Sequence, residues 1–414
     1  MNSVPPPPSA PFGLLGRSWP LLPLAIAVLT APILAKLSVL WLPIAALCVF
    51  RSPHRPSGQA TWNRLLPTAL LFSFCWFGLS LSWTTNLDAG LRAFLDTVAM
   101  SLAGGVALYW VKTWRLQTSA AEWAQIRQTS VILYLTAAAL LLPLVAAHRL
   151  SLHGHLPDSL AFEFILRSNM TDRGAIVLSL LLWPILGLLA KNWQRLGLWL
   201  GLTLMLAASN SLAAKLVMVV GGAVFLATQR WPRRVAQALP FLGLLLLLLM
   251  PMLAQSFYSW GWHHASWLPQ SSQHRIQIWD FVARQAALHP WLGWGINAAR
   301  DFPNMDEVPV LGKVMLPMHP HNGALQLWLE FGAVGVALCA SWWLWLCQRL
   351  TPPTLSPTTQ VGYASTVAQT IGILLIACTT FGLWASYWQA WIWLVIILRE
   401  VLAFAAADVP ATTP

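Results

Sequence analysis

Runs of about 20 mostly apolar residues recur along almost the whole chain, each long enough to cross a bilayer's hydrocarbon layer and each ended by a short polar connector. Inside lipid a helix satisfies its own backbone N–H and C=O groups, so repetition of such runs constrains the fold to an all-α polytopic membrane bundle. Only 9% of the residues are charged, against about 25% in an average soluble domain, which leaves too little polar surface for a water-soluble body of 414 residues. Spans are expected near 19–35, 37–50, 66–84, 92–111, 130–147, 174–190, 196–209, 211–228, 237–254, 323–347, 362–383 and 386–404, about twelve transmembrane helices in all.

The 26 Trp fit this reading, because indole rings favour the headgroup level; Trp83, Trp114, Trp183, Trp231, Trp260, Trp262, Trp384 and Trp388 lie at span ends. Cys48, Cys75, Cys339, Cys347 and Cys378 all fall in spans without a CxxC spacing and read as packing residues. Residues 1–18, with Pro5 to Pro11, read as a disordered cytoplasmic lead-in, and 405–414 as a cytoplasmic tail; 19–254 carries spans one to nine and 323–404 spans ten to twelve.

With the N-terminus inside, every cytoplasmic connection carries a cation: Arg17, Arg51, Arg55, Arg64, Lys112, Arg115, Arg127, Lys191, Arg195, Arg230, Arg233, Arg234, Arg349 and Arg399. The remaining ten are Lys36, Arg92, Arg149, Arg167, Arg173, Lys215, Arg275, Arg284, Arg300 and Lys313, and nine of the ten histidines share their side. Cations gathered where the positive-inside rule disfavours them point to an anionic ligand handled on the outer face, or to an ordinary solvated loop. Anchoring to anionic lipid supplies much of the net charge of +11, and no nucleic-acid-binding motif is present.

The long outer loop, 255–322, is the one long connector. Ser272 is expected to cap an amphipathic helix that starts near His274, carries Ile276, Trp279, Val282, Ala283 and Ala286 on one face, and stops at Pro290. That places Arg275 in a first helical turn, where free N–H groups help to bind phosphate. The turn His289-Pro-Trp-Leu-Gly-Trp-Gly295 follows. Met318-His-Pro-His-Asn322 then enters the next span and sets two imidazoles at the mouth of the bundle, suited to general-base work. A metal at His319 and His321 is disfavoured because Asp306 and Glu307 are the only reachable acids.

At these residues the chain resembles the O-antigen ligase family, within the wider group that includes O-antigen polymerases and protein O-oligosaccharyltransferases. His321-Asn322, nine residues and Gly332-Ala-Val-Gly335 are similar to the family's H-N-x9-G-x-x-G signature, with Leu325-Gln326 and Glu330 inside it. His274-Arg275-xxx-Trp279 and Asn169-xxx-Arg173-Gly174 look like its two arginine-bearing segments, while Ser209-Asn-Ser-Leu-Ala-Ala-Lys215 departs from its usual Ser-Arg-Gly turn.

The resemblance implies a GT-C-like fold and transfer of a glycan from undecaprenyl pyrophosphate to a sugar hydroxyl of lipid A-core, at the periplasmic face of the bacterial inner membrane. Arg275 and Arg173 would hold the pyrophosphate and His321 would orient or deprotonate the acceptor, with inversion and with no metal or cofactor. His319, Asn322, Lys215, Arg167, Arg284 and His274 are further binding candidates. A polymerase or a protein oligosaccharyltransferase would use the same donor. A solute transporter, the rival of another class, would need ionisable groups at mid-span, for which Asp96 and Lys215 are the nearest.

Overall fold

The computed structural model describes residues 22–50, 65–115, 120–152, 170–302, 316, 318–350, 352 and 357–402. Among these, all regular structure is helical. The helices are α1 (Leu22–Thr30), α2 (Ser38–Phe50), α3 (Leu65–Leu79), α4 (Leu87–Arg115), α5 (Ala120–Leu152), α6 (Met170–Leu188), α7 (Asn192–Ala207), α8 (Leu212–Arg230), α9 (Pro232–Ser259), α10 (Gln270–Leu288), α11 (Gly323–Arg349), α12 (Pro357–Thr379) and α13 (Ser386–Leu402).

Each expected span coincides with a helix, and α10 is the additional one. Seven helices, α4, α5, α6, α8, α9, α11 and α12, are long and apolar enough to cross a membrane. The other five are shorter; at about 1.5 Å of rise per residue, the 9-residue α1 reaches less than half of a hydrocarbon layer.

The centre of the bundle is α6, which packs against α5, α8, α12 and α13 and buries Leu178 and the run from Leu180 to Ile185 almost completely, Pro184 included. Two arginines of the set assigned to the inner side close its C-terminus. Arg127 donates to the Leu188 carbonyl at 3.0 Å and Arg195 to that of Leu189, satisfying carbonyls that the helix leaves unpaired. At the opposite end, the connections around Lys36, Asn86, Asn297, His319 and Gly382 converge on one cavity.

The long loop differs from expectation at α10. The helix starts at Gln270, directly after Pro269, and Ser272 lies inside its first turn rather than capping it. The polar run is helical because Gln273 Nε2 donates to the carbonyls of Ala265 and Leu268, both at 3.0 Å, and ties the new helix to the turn before it. Arg275 therefore stands in the second turn, away from the free N–H groups. The helix is wedged against α9 and α11, with Ile276, Ile278, Val282, Ala283 and Ala286 buried.

Candidate active site

The site is built around a break in α11. Gly332 has φ 56° and ψ −155°, which interrupts the helical ladder. The freed groups are satisfied by the turn after α10: Trp294 N–H donates to Leu329 O at 2.8 Å and Gly295 N–H to Glu330 O at 2.9 Å. In return Ala333 N–H donates to Pro290 O at 2.8 Å and Val334 N–H to Trp291 O at 3.3 Å. The two backbones approach so closely that a Cβ on Gly332 would lie 2.5 Å from the Trp291 carbonyl carbon, and one on Gly293 2.4 Å from that of Glu330. The glycines of the two separate sequence motifs are thus the two halves of one contact.

Ahead of α11, the Asn322 side chain caps the helix: its Oδ1 accepts from Ala324 N–H and Leu325 N–H, each at 3.1 Å. Asn322 is fully buried, so its carbonyl serves the helix rather than a substrate. The preceding segment is held to α10 by Trp279, whose Nε1 donates to Pro320 O at 2.9 Å. Met318 and His321, on either side of that proline, both adopt the left-handed region, with φ 64° and 54°. Two non-glycine residues in that region within four positions mark a strained, tightly specified turn.

That turn fixes both imidazoles. His319 Nδ1 accepts the His321 N–H at 3.2 Å, so the hydrogen of a neutral His319 ring is on Nε2. His321 Nδ1 lies 2.6 Å from Thr380 O; a carbonyl only accepts, so Nδ1 carries hydrogen and Nε2 keeps its lone pair. Burial, with His321 and Arg275 nearby, pushes the His319 pKa down to about 3. Burial also brings His321 down to about 4, reinforced by Arg275 and His274 and opposed by the Thr380 carbonyl. Both rings are therefore neutral at physiological pH, and burial lowers the pKa of the Arg275 guanidinium too.

His319 faces a cavity of about 680 Å³. Lys36 contributes from the connection between α1 and α2, Arg92 and the carboxylates Asp88 and Asp96 from α4, and Arg300 from the turn at Ala298–Asp301. Tyr387 closes another side, with the Arg173 guanidinium 5.4 Å from its ring centroid. Asp96 Oδ2 accepts from Ser386 Oγ at 2.9 Å.

The expected site residues thus divide. His274, Arg275, His319 and His321 act electrostatically on one another, His319 alone of the four lines the cavity, and Arg173 approaches it through Tyr387. Lys215 is on the first turn of α8, after a turn joined to the start of α6 by Asn210 N–H donating to Asp172 Oδ1 at 3.1 Å, and it is not among the cavity's lining residues. Arg284 points away: it is 65% exposed and bonded to Asp280 at 2.9 Å. Arg167 lies outside the described residues. Lys36, Arg92, Arg300, Trp384 and Asp96 are cavity residues that the sequence motifs did not reveal, although the first three already stood among the ten cations on the outer side.

Fold and site together define a polytopic helical membrane protein with a cation-lined cavity beside two neutral histidines. Residues 196–340, which include both sides of the Gly332 contact, match the family model described as O-antigen ligase. Similar curated proteins are provisionally named polysaccharide ligases: one from Rickettsia typhi, 27% identical over 260 residues (60% of this chain, 62% of that protein), and one from Rickettsia bellii, 30% identical over 244 residues (56% and 58%). The chain thus spans about 60% of the length of the relatives it matches. No solved structure matches it.

Proposed function

We propose that this protein is an O-antigen ligase of the bacterial inner membrane. In this reading it transfers a glycan from undecaprenyl pyrophosphate to a sugar hydroxyl of lipid A-core on the periplasmic face, and all twelve apolar segments sit in the membrane, the five short ones included. The observation that carries the reading is the tautomer of His321: a neutral imidazole with Nδ1–H held by Thr380 and a free Nε2 lone pair, beside Arg275.

The pyrophosphate is already a good leaving group, so catalysis needs cations where charge grows and a base where the acceptor hydroxyl sits. Arg275 and Arg173 hold the pyrophosphate, and His319 donates a hydrogen bond through Nε2–H. His321 Nε2 accepts the acceptor's hydroxyl proton as that oxygen bonds to the sugar's anomeric carbon; the electrons of the breaking C1–O bond pass to the pyrophosphate. Attack from the face opposite the leaving group inverts the anomeric configuration without a metal, and a product with retained configuration would refute that step. Arg284, turned outward, has no part in it.

The test is a gene deletion in the host, complemented with wild type, Arg275→Ala or His321→Ala, followed by gel analysis of extracted lipopolysaccharide. Loss of long glycan ladders in the deletion and in both stably expressed variants, with lipid-linked polymer still accumulating, is the expected result. Polymer arrested at single repeats would mean a polymerase instead, and ladders left intact by the deletion would sink both readings.

A further inference from the structure

Glu330 takes no part in the mechanism above, yet it is fully buried two residues before the break in α11. Its Oε1 accepts from Gln326 Nε2 at 2.9 Å, and its Oε2 from Asn297 N–H at 2.9 Å and from Trp384 Nε1 at 2.6 Å; the Ala299 N–H is a further donor. Every one of these partners is an N–H group, so the site is shaped for two acceptor oxygens.

The partners belong to three different walls of the cavity. Gln326 lines it from α11, Trp384 from the turn between α12 and α13, and Asn297 opens the short helical turn that carries Arg300. Asn297 has φ 57°, and its Nδ2 donates to Ala89 O at 3.0 Å, next to Arg92 on α4. Gln326 Oε1 in turn accepts from Leu383 N–H at 2.9 Å, which latches the turn that begins with Thr380.

We propose that Glu330 is a positioning residue for the cavity's cationic wall. By gripping both Asn297 and Ala299 it sets Arg300 at the place where an anionic headgroup enters, and by holding Trp384 and Gln326 it keeps the facing wall in register. This rests on the cavity's being the donor site. A glutamine at this position supplies one acceptor oxygen and turns an NH2 group against donors, so the wall loosens while the packing volume is unchanged.

The test is initial-rate kinetics of purified protein in lipid nanodiscs, with the lipid-linked glycan donor varied at saturating acceptor. Glu330→Gln raises the donor KM about tenfold with kcat within about threefold, the size of one misplaced buried hydrogen-bonded contact. Arg300→Ala raises it as well, and the double variant is no worse than Arg300→Ala alone, because both changes act through the same guanidinium. A variant that is only partly folded lowers kcat and leaves KM where it was. An unchanged KM, or effects that multiply in the double variant, overturns the inference. Where Glu330→Gln does not fold, Trp384→Phe removes one partner and shifts KM in the same direction to a smaller degree, and an unmoved KM there counts equally against it. Wild type that transfers nothing refutes the ligase reading instead. Amide hydrogen exchange then decides the inference separately, since residues 297–302 lose protection in Glu330→Gln if Glu330 holds that turn and keep it if not.

Discussion

His321 Nδ1 and the carbonyl oxygen of Thr380 lie 2.6 Å apart, a contact that joins the turn before α11 to the end of α12 and leaves His321 Nε2 as the free nitrogen of a neutral ring. A base whose pKa is held at about 4 stays deprotonated well below the pH at which an ordinary imidazole, near 6.5, becomes charged. The kcat/KM profile for glycan transfer is therefore flat from pH 7 to pH 5 and falls only toward pH 4. An inflection near 6.5 would show a solvated imidazole and refute this arrangement.

Gly332 and Trp291 impose the second expectation. Alanine at 332 meets a left-handed φ and a carbonyl carbon 2.5 Å from its Cβ. Strain at such a residue costs about 1–3 kcal/mol before the clash is counted. Gly332→Ala lowers the melting temperature in detergent and raises exchange at the amides of Trp294, Gly295 and Ala333, which bridge the break. Alanine tolerated with unchanged protection would mean that the break is not a fixed feature.

How far sequence reading reached can be seen from these same residues. Among the described residues, each expected apolar run contains a helix, and seven of these are long and apolar enough to cross a membrane, because a span's length and composition are local properties of the sequence. The start of α10 is not legible in the sequence, since Gln270 to Gln273 look like loop and only the fold ties the Gln273 side chain back to Ala265 and Leu268. Asn322, a binding candidate by its motif, caps α11 in the fold. Arg275, His319 and His321 stand out in the sequence as candidates for chemistry. The cavity that His319 shares with Lys36, Arg92 and Arg300 does not, since contacts across hundreds of positions have no period to read. Glu330 lay in plain view in a motif, but its purpose depends on Trp384 and Asn297, which only the fold brings to it.

Arg275 and Arg284 stand nine positions apart on α10 and separate a buried role from a surface one. Arg284 is 65% exposed where it bonds the buried Asp280 carboxylate, so Arg284→Ala leaves glycan transfer near wild type. Arg275→Ala abolishes transfer, and Arg275→Lys restores little of it, because a single ammonium does not reproduce the planar fork that grips phosphate oxygens in pairs. Equal loss in the alanine variants at 275 and 284, measured at matched expression, would overturn this division of the helix.

His319 and His321 also make the fold sensitive to acid. Their pKa values are lower in the folded protein, at about 3 and about 4, than the 6.5 of a free imidazole, so between pH 6.5 and 4 the unfolded chain binds protons that the folded chain refuses. Stability then rises with pH across that window: it is fully present above about 6.5 and is lost progressively as pH falls toward 4. Thermal melts of the purified protein at a series of pH values should show the loss, and His319→Gln should flatten the slope by removing one of the two refused protons. A slope unaffected by that substitution would mean that His319 is hydrated and titrates as an ordinary imidazole.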